Sequence, residues 1–457
     1  MTTAGMADDV RKESLLILTH LETGRRNTLD QLLDLSRSVN TGFSSRDKAF
    51  LQALVFGVLR SKNRLDWIIR HFSKTPFRKI SNNIRNILRL GIYQILYMDR
   101  VPNSAAVNTS VELAKSRSAP WTAKYVNGLL RNVSRNPATV KFPDISDSPV
   151  RAISIRKSLP EWLVQRWLSR FGLIQCVKLC DAVNTIPPLS LRTNTLKTTR
   201  EKLVRAFADS ADTVAETAHA PEGILLEGAR AGIAEIRGFA EGKFQVQDEA
   251  AQLVSHLLGP QPGQRVLDAC AGLGGKTGHI AQLMGNRGEI IALDTGSKKL
   301  DSLNDEMERL GISIVKTVSH DLKKTPVFLP GTFDRILLDA PCSGLGVLRR
   351  NPDTRWNRSE NDLGKYSAGQ QRFLDILAPL VKPGGILVYA VCSTEPEENE
   401  NVIRRFLIKN RTFLQIPVES EAVKDLTSVV DTGHCLRTFP HRHNMDGFFA
   451  VCLRRLE

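Results

Sequence analysis

The stretch that decides the fold is residues 266–277, VLDACAGLGGKT, in which a short apolar run leads directly into a glycine-rich turn. Four later apolar runs of strand length alternate with segments of helix length, and they span residues 289–293, 312–318, 335–338 and 386–391. Short apolar strands separated by helices are typical of a largely parallel sheet that is covered on both faces. The sequence therefore predicts an α/β domain over residues 246–457.

One helix of this domain carries signals at both ends. Ser367 and Gln370 have the spacing of a capping box, and the apolar face that follows includes Phe373 and Leu377. Residues 382–385, KPGG, form a stop signal. We therefore expect this helix to begin at Ser367 and to end before the stop signal.

The chain before residue 246 divides into three parts. Residues 1–141 predict helices only, because apolar side chains recur at helical spacing, as they do over 84–96 and 125–135. Residues 142–160 contain the prolines, serines and aspartates of a linker. Residues 161–245 mix helical and extended patterns, which indicates a small α/β domain.

The net charge of +15 is unevenly distributed along the chain. Residues 1–141 hold 23 basic and 10 acidic side chains, and residues 142–200 hold 9 and 4. Residues 201–457 hold 31 basic and 34 acidic side chains. Charges of both signs serve solubility, but a basic excess confined to one region favours contact with a polyanion such as nucleic acid.

Composition excludes several classes of protein. The 457 residues are 42% apolar and 24% charged, which fits globular domains rather than disorder. No apolar run reaches the roughly 18 residues that span a bilayer, and charged residues fill the start of the chain, so we expect a cytoplasmic protein without a membrane partner. The seven cysteines form no Cys-x-x-Cys pair, so we expect neither a metal site nor a disulfide framework. A monomer is the default expectation.

The glycine-rich turn is suited to a ligand that approaches backbone amides at a helix N-terminus. A phosphate-binding loop would need glycine at Cys270, and a dinucleotide fingerprint that begins at Gly272 would need glycine at Thr277. Both patterns fail, which leaves a nucleoside with an anionic tail. Asp294, Asp321 and Asp339 follow successive strands, although each aspartate alone is commonly a helix cap or turn residue.

Two cysteines provide the strongest chemical signal. Cys342 and Cys392 each follow a predicted strand, at the edge of the sheet where ligands bind in open α/β folds. Either cysteine alone could be a small buried apolar residue. Together, beside a nucleoside-binding turn, they indicate covalent catalysis.

These motifs resemble the Nop/Sun family of RNA cytosine-carbon-5 methyltransferases. The residues that carry the resemblance are 339–344 (DAPCSG), 389–393 (YAVCS), 349–356 (RRNPDTRW) and 446–449 (DGFF). Residues 89–97 (RLGIYQILY) and 125–131 (YVNGLLR) resemble the NusB-type helical RNA-binding domain. The combination is similar to the bacterial branch of the family that acts on 16S ribosomal RNA.

The resemblance implies a fold of three parts. They are a NusB-like RNA-binding domain over residues 1–141, a small α/β domain like an RNA-recognition motif over 161–245, and a Rossmann-like methyltransferase domain with a seven-stranded mixed sheet over 246–457. The implied cofactor is S-adenosylmethionine. The implied partner is small-subunit ribosomal RNA or an early assembly intermediate.

The resemblance also implies roles for individual residues. Cys392 is expected to attack carbon 6 of cytosine, and Cys342 to assist breakdown of the adduct, although DNA cytosine methyltransferases use the Pro-Cys cysteine, here Cys342, as nucleophile. Asp339 is expected to bind the cytosine edge, and would need a protonated carboxyl to donate to ring nitrogen 3. Lys276 adds positive potential that favours a thiolate. The expected cofactor contacts are Cys270, Ala271, Gly272, Leu273, Gly274, Gly275, Lys276, Asp294 for the ribose, Asp321 for the adenine, and Asp339.

The loop over residues 349–356 is expected to face RNA. Arg349, Arg350 and Arg355 are candidates for phosphate contact, and Trp356 could stack on a base, although a solvated loop and ordinary packing are the alternatives. The chain departs from the family in having Gly272-Leu273 where Ala-Pro is usual, and Val391 where Thr is frequent. The first departure is expected to loosen the cofactor turn, and the second removes a hydroxyl beside the thiol.

Three other functions compete with this interpretation. A transfer RNA methyltransferase would use the same chemistry, but many such relatives lack the basic N-terminal domain. A non-catalytic RNA-binding or antitermination factor would not need Cys342, Cys392, Asp339 and Lys276. A nicotinamide-dependent enzyme is disfavoured by the failed dinucleotide fingerprint.

Overall fold

The computed structural model describes residues 3–23, 28–117, 121–324, 328–418, 420, 423 and 425–456. The chain forms two compact units. The first comprises residues 1–184 together with 351–357, and the second comprises residues 185–350 together with 358–457. No described helix is both long enough and apolar enough to cross a membrane.

The first unit is helical. Its helices are α1 (Thr3–Glu22), α2 (Leu29–Val39), α3 (Ser45–Phe72), α4 (Asn82–Tyr97), α5 (Asn103–Arg117), α6 (Trp121–Arg135), α7 (Pro149–Lys157), α8 (Glu161–Ala182) and, from later in the chain, α13 (Thr354–Asn357). Buried apolar side chains of α1 to α6, such as Leu54, Ile87 and Val126, form one continuous core. The periodic segments 84–96 and 125–135 lie in α4 and α6, which confirms the predicted helices.

Two parts of the first unit differ from the sequence-based expectations. Residues 142–160, expected to be a linker, contain helix α7, whose residues Ala152 and Ile153 are fully buried. The helix expected near residue 162 extends to Ala182, with a kink at Gly172, which has a φ of +73°. Only glycine adopts this backbone conformation without steric cost, so the helix can change direction there.

The second unit begins with a small antiparallel sheet. Its elements are β1 (Leu189–Thr193), α9 (Arg200–Ala206), β2 (Thr213–Glu216), β3 (Gly223–Glu227) and β4 (Phe244–Val246), and the strand order is β2-β3-β1-β4. Apolar side chains from these elements, among them Leu191, Phe207 and Phe244, form a separate small core.

The larger sheet contains the strands that the apolar runs predict. The remaining elements are α10 (Glu249–Leu258), β5 (Arg265–Asp268), α11 (Gly275–Leu283), β6 (Glu289–Asp294), α12 (Ser297–Leu310), β7 (Val315–Ser319), β8 (Phe333–Asp339), α14 (Glu360–Leu377), β9 (Val381–Val391), α15 (Glu400–Lys409), β10 (Phe413–Ile416), β11 (Leu436–Arg437), α16 (Pro440–His443) and β12 (Phe449–Arg455). Seven strands follow the order β10-β12-β9-β8-β5-β6-β7, and the two-residue β11 pairs with β12. Strands β5 to β9 are parallel, and β10 to β12 pair in antiparallel fashion. The predicted mixed sheet is therefore confirmed, and β11 adds an eighth strand to the seven that were expected.

The strand order creates a crevice at β5. The chain runs from β5 outward through β6 and β7, and then returns to the other side of β5 to form β8 and β9. At such a reversal the neighbouring connections leave in opposite directions, which opens a ligand-binding crevice beyond the carboxyl ends of the strands. The turn after β5 and the residues after β8 and β9 lie at this edge.

The predicted start of helix α14 is wrong. The capping box is formed by Ser359 and Asp362, whose carboxylate accepts hydrogen bonds from the amide and hydroxyl of Ser359. Ser367 lies inside the helix, where its hydroxyl donates to the carbonyl of Glu397. The stop signal lies within β9, because Gly384 adopts a φ of +73° and accommodates an irregularity in the strand.

Candidate active site

The glycine-rich turn joins β5 to α11. Gly272 and Gly274 have φ values of +57° and +84°, a region that favours glycine. A Cβ atom at Gly274 would lie 2.7 Å from Cγ of Leu303, so packing also requires glycine there. Beside Gly272 and Gly275 a Cβ atom would meet no other atom within 4 Å. The turn therefore exposes backbone at the N-terminus of α11 to open space.

Hydrogen bonds from buried polar groups hold the glycine-rich turn and the start of α11 in place. Asp268, at the end of β5, accepts a 2.7 Å hydrogen bond from the Thr277 hydroxyl, and burial raises the pKa of Asp268 to about 6. From the small sheet, the Arg192 guanidinium donates to the carbonyl of Gly275 at 2.8 Å. Arg192 is itself held by Gln245 and Gln247, so the turn is connected to β1 and β4.

The three aspartates expected at strand ends are found there. Asp294 ends β6, and its two carboxylate oxygens accept hydrogen bonds from the amides of Gly272 at 3.0 Å and Gly296 at 2.9 Å. Asp321 lies two residues beyond β7 and accepts from the Lys323 amide at 2.9 Å. Asp339 is the last residue of β8. Asp294 therefore fixes the conformation of the glycine-rich turn through its hydrogen bond with Gly272.

The structure brings the two predicted cysteines together. Sγ of Cys342 lies 3.3 Å from Sγ of Cys392, and both side chains are partly exposed. The pKa of Cys342 is raised well above its ordinary value by the hydrogen bond with Cys392 and by burial. Either sulfur could donate in that hydrogen bond, so the geometry leaves both cysteines as candidates for the nucleophile.

Lys276 and Asp339 form an ion pair at the same edge. Nζ of Lys276 donates to Oδ2 of Asp339 at 2.7 Å and lies 5.1 Å from the centre of the Phe448 ring. Burial lowers the pKa of Lys276, but the charges of Asp339 and of Cys392 outweigh that effect, so the net shift is upward. A charged lysine therefore lies within electrostatic range of the Cys392 thiol and the Asp339 carboxylate.

Glu398 connects the two cysteine motifs. One carboxylate oxygen accepts from the amide of Ser343 at 2.8 Å and from Nε2 of Gln370 at 3.0 Å. The other oxygen bonds the hydroxyls of Ser343 and Ser393, the residues that follow the two cysteines. Glu398 is fully buried. Sequence reasoning missed this residue, because nothing in its neighbourhood marks a partner 55 positions away.

A close backbone approach fixes the loop after Cys342. The amide of Gly346 donates to the carbonyl of Cys392 at 3.0 Å, and the amide of Gly447 donates to the carbonyl of Gly346 at 2.9 Å. A Cβ atom at Gly346 would lie 1.9 Å from the carbonyl oxygen of Gly447, so no larger residue fits. This contact explains why the DGFF segment accompanies the cysteine motifs.

The predicted phosphate contacts of Arg349 and Arg350 are wrong. Arg349 is 2% exposed and donates to Asp446 at 2.6 Å, while Arg350 donates to both Asp446 and Asp248 at 2.7 Å. Asp248 in turn accepts from the Asp446 amide. Two arginines and two aspartates thus form a largely buried cluster, in which the Arg350 side chain is 27% exposed. Charged side chains that leave water need opposite charges as partners.

The next part of the loop belongs to the first unit and is also packed. Arg355 is fully buried and donates to the carbonyls of Ser158 and Val183 and to Oδ1 of Asn184. Nε1 of Trp356 donates to the carbonyl of Leu59 at 2.8 Å. The prediction that Arg355 meets phosphate is therefore wrong. Trp356 is partly buried and packs against the helical core, and its stacking on RNA stays a prediction.

Three buried side chains near α11 have the composition of a metal site, whereas the sequence predicted none. Potential ligand atoms of Glu222, His256 and His279 lie within 4.8 Å of one another. A 2.9 Å hydrogen bond joins His256 to Glu222, and burial lowers the pKa of His279 to about 3, with Arg192 adding to the effect. The positive charge of Arg192 opposes a bound cation there, so the cluster is best explained as a link between α10, α11 and the small sheet.

The residues at the turn fit S-adenosylmethionine. Open space beside Gly272 and Gly275 admits a chain against the backbone, and the side chain of Leu273 is 63% exposed. Asp294 supplies a carboxylate suited to ribose hydroxyls. Cys270 is half-buried and packs against the core on one face of the sheet, and Ala271 is buried, so these two contribute shape rather than charge.

Three known families match parts of the chain. The family described as 16S rRNA methyltransferase RsmB/F matches residues 255–454. The NusB family matches residues 9–135, and the ferredoxin-like domain of RsmF/B-like methyltransferases matches residues 159–231. These matches follow the same order along the chain as the three predicted parts.

Individual relatives match along most of their length. The probable ribosomal RNA small subunit methyltransferase B of Synechocystis sp. is 40% identical over 90% of this chain and 92% of its own. The protein of the same description from Bacillus subtilis is 35% identical over 98% of each chain. The crystal structure of PH0851 superposes with a TM-score of 0.81 and 26% identity over 100% of this chain and 99% of its own.

Proposed function

This chain belongs to the RsmB/F family of 16S ribosomal RNA methyltransferases, and from that premise we propose that it methylates carbon 5 of a specific cytosine in small-subunit ribosomal RNA through a covalent cysteine adduct. It is an enzyme whose cofactor is S-adenosylmethionine. The observation that carries the proposal is the pair of thiols 3.3 Å apart, beside the Lys276–Asp339 ion pair.

The reactivity of cytosine explains the need for a thiol. Carbon 5 is a weak nucleophile, and addition of the Cys392 thiolate to carbon 6 makes it enamine-like. When bound, S-adenosylmethionine would supply an electrophilic methyl group, whose bond to the sulfonium sulfur breaks as the bond to carbon 5 forms, so that S-adenosylhomocysteine leaves. Loss of the carbon 5 proton to water then lets the bond between sulfur and carbon 6 break, which regenerates Cys392 as a thiolate. Cys342, in contact with Cys392, assists this breakdown.

Asp339 and Lys276 hold the base and balance its charge. In this mechanism Asp339, which accepts a hydrogen bond from Lys276, also accepts one from the exocyclic amino group of cytosine. This differs from the protonated carboxyl that donation to ring nitrogen 3 would require. An ammonium has three N–H donors, so Lys276 can also offset negative charge that develops on the ring.

The cofactor-binding residues have separate tasks. Residues 270–276 hold the methionine part against the backbone, Asp294 binds the ribose, and Asp321 contacts the adenine. Asp339 lies where the base meets the methyl group. The target base must leave its stack to reach the thiols, as in other enzymes that modify bases.

The basic excess of the first 200 residues supports an RNA substrate. We propose free small-subunit ribosomal RNA or an early assembly intermediate as the partner, bound by a monomer. A transfer RNA methyltransferase of the same chemistry is the alternative. Transfer of a labelled methyl group to unmodified small-subunit RNA, with the modified position mapped, tests the proposal. Label on carbon 5 of one cytosine supports it, and label only on transfer RNA discards the ribosomal substrate.

Variants of the two cysteines test their roles. Cys392→Ala is expected to abolish transfer, whereas Cys342→Ala allows attack and leaves enzyme bound to RNA. A denaturing gel detects the bound species. Trapping by Cys392→Ala instead would reverse the roles and make Cys342 the nucleophile, as in DNA cytosine methyltransferases.

A further inference from the structure

The two thiols have similar positions but different charged neighbours. Both follow parallel strands that lie side by side, β8 and β9. Glu398 accepts a 2.8 Å hydrogen bond from the amide of Ser343, directly after Cys342, whereas Lys276, which donates to Asp339, interacts electrostatically with Cys392. A nearby positive charge favours a thiolate, and a nearby negative charge favours a protonated thiol. The two cysteines therefore have opposite electrostatic surroundings.

Glu398 is held so that its charge stays in place. Its carboxylate accepts hydrogen bonds from the Ser343 amide and from Gln370, and both are N–H donors that cannot act as acceptors in these bonds. The Ser393 hydroxyl lies 2.6 Å from the second oxygen. Among the described residues, no lysine, arginine or histidine forms an ion pair with Glu398, and hydrogen bonds satisfy its carboxylate.

We propose that Glu398 is the positioning residue that assigns the two cysteines their tasks: it ties the residues after both thiols together, and its carboxylate, bonded to the amide that follows Cys342, leaves Cys392 as the thiol that attacks the base. The inference deepens the proposed function and rests on it for its catalytic meaning. It also supplies what the hydrogen bond between the two sulfurs leaves open, namely which sulfur carries the proton.

Other charged and titratable groups surround Cys342 and belong to the same balance. They are Asp339 at the end of β8, Tyr389 on β9, Cys392 directly after β9, Lys276 on α11, Tyr366 on α14, and Arg358 before α14, which donates to the carbonyl of Ser343. The negative charge of Cys342 would raise the pKa values of both tyrosines, which are also raised by burial. Arg358 donates to the carbonyl of Ser343 and lies over the Tyr366 ring, and the charge of Arg405 acts on Tyr389.

Two substitutions separate the effect of the Glu398 charge from the effect of its side-chain length. Glu398→Gln keeps the shape and removes the charge, whereas Glu398→Asp keeps the charge and shortens the side chain by one methylene. The readout is the rate of alkylation of each cysteine by iodoacetamide as a function of pH, resolved by mass spectrometry on the full chain without RNA or cofactor. Glu397→Gln, one position earlier, is the matched control.

In the unsubstituted protein, Cys392 is expected to react at lower pH than Cys342. Glu398→Gln should raise the Cys342 rate at pH 8 by about tenfold, the change that one pKa unit brings, with a much smaller change at Cys392. Glu398→Asp should keep the order of reaction while methyl transfer falls, and Glu397→Gln should resemble the parent protein.

Three results would overturn the inference. They are earlier reaction of Cys342 in the unsubstituted protein, an unchanged ratio in Glu398→Gln, and an equal increase at both cysteines, which would make Glu398 a structural clamp only. The first of these needs no variant, so a variant that fails to fold does not remove the test. Because alkylation needs no RNA, a shifted ratio in a protein that methylates no cytosine would reject the proposed function while the assignment of the proton stood.

Discussion

Two buried ion-pair groups in the second unit look alike in composition and differ in purpose. In the cluster of Arg349, Arg350, Asp248 and Asp446, the side chains of Arg349 and Asp446 are each 2% exposed and bonded to each other. In the Lys276–Asp339 pair, the side chains are 12% and 29% exposed, and the pair lies beside two thiols. A charged residue near a site therefore indicates a catalytic role only when some of its hydrogen-bonding atoms remain accessible to a substrate.

The largest expected effect is on the Lys276–Asp339 pair. Lys276→Met should lower methyl transfer by about 100- to 1,000-fold, as loss of one preorganised charge at a reaction centre does, while the melting temperature changes little. Steady-state transfer assays and thermal unfolding measure the two quantities. Lys316→Met, which removes a lysine that is 71% exposed and paired with Glu289, is the control and should retain activity. A large loss of stability in Lys276→Met would erase the difference between the two groups.

Breaking the cluster of Arg349, Arg350, Asp248 and Asp446 should have the opposite outcome, a loss of stability without a loss of catalysis. Arg349→Met leaves Asp446 and Asp248 with less positive charge and should cost about 3–5 kcal/mol in the free energy of unfolding. The fraction that remains folded should still transfer methyl groups. Denaturant unfolding gives the free energy, and Arg37→Met, from an exposed pair with Asp34, should cost less than about 1 kcal/mol. A stable but inactive Arg349→Met would place this cluster in the catalytic machinery.

Asp268 extends the comparison to a buried acid that has no cation as partner in its hydrogen bond and accepts instead from the Thr277 hydroxyl. Burial raises its pKa from 3.8 to about 6, so between these values the native protein holds a proton that the unfolded chain has lost. Its contribution to stability therefore falls as pH rises from about 4 to about 6, by about 3 kcal/mol in total. Asp268→Asn removes the dependence, so the difference in unfolding free energy between variant and parent should grow over that range and then level off.

A second acid provides a check on the sign of that effect. Hydrogen bonds from Lys365 and Ser359 lower the pKa of Asp362, at the start of α14, to about 2. The stability that it contributes is present above pH 4 and is lost as pH falls towards 2, the reverse of the Asp268 trend. If Asp362→Asn and Asp268→Asn gave difference curves of the same sign, burial would not be the cause of the Asp268 shift.

Local patterns in the sequence were sufficient for the sheet and for the residues at its edge. The alternation of apolar runs and helices predicted β5 to β9, and placing residues after strands predicted that Asp294, Asp339, Cys342 and Cys392 would converge. Parallel strands carry their carboxyl ends to one edge, so position along the chain translates directly into position in space.

What the sequence could not provide are pairings between distant residues. Asp446 and Asp248 are 198 positions apart, and Glu398 is 55 positions from Ser343. The arginines of the loop over residues 349–356 were expected to face RNA because arginine is usually exposed, and their buried partners carry no local signal. The helix start at Ser359 was missed for a different reason, since two capping boxes compete and only packing decides between them.

The smallest expected effect concerns Asp294, which combines both kinds of role. Its carboxylate accepts the amides of Gly272 and Gly296, and asparagine can accept with one oxygen only, so Asp294→Asn loses one of these bonds. Loss of one hydrogen bond is worth about 1 kcal/mol, so KM for S-adenosylmethionine should rise about fivefold to tenfold with kcat nearly unchanged. Asp321→Asn, whose parent side chain accepts from Lys323 outside the glycine turn, should raise KM less. An equal loss of kcat in Asp294→Asn would mean that the turn positions the methyl group as well as binding its carrier, and Asp294 would then belong with Lys276 rather than with the residues that only hold the fold.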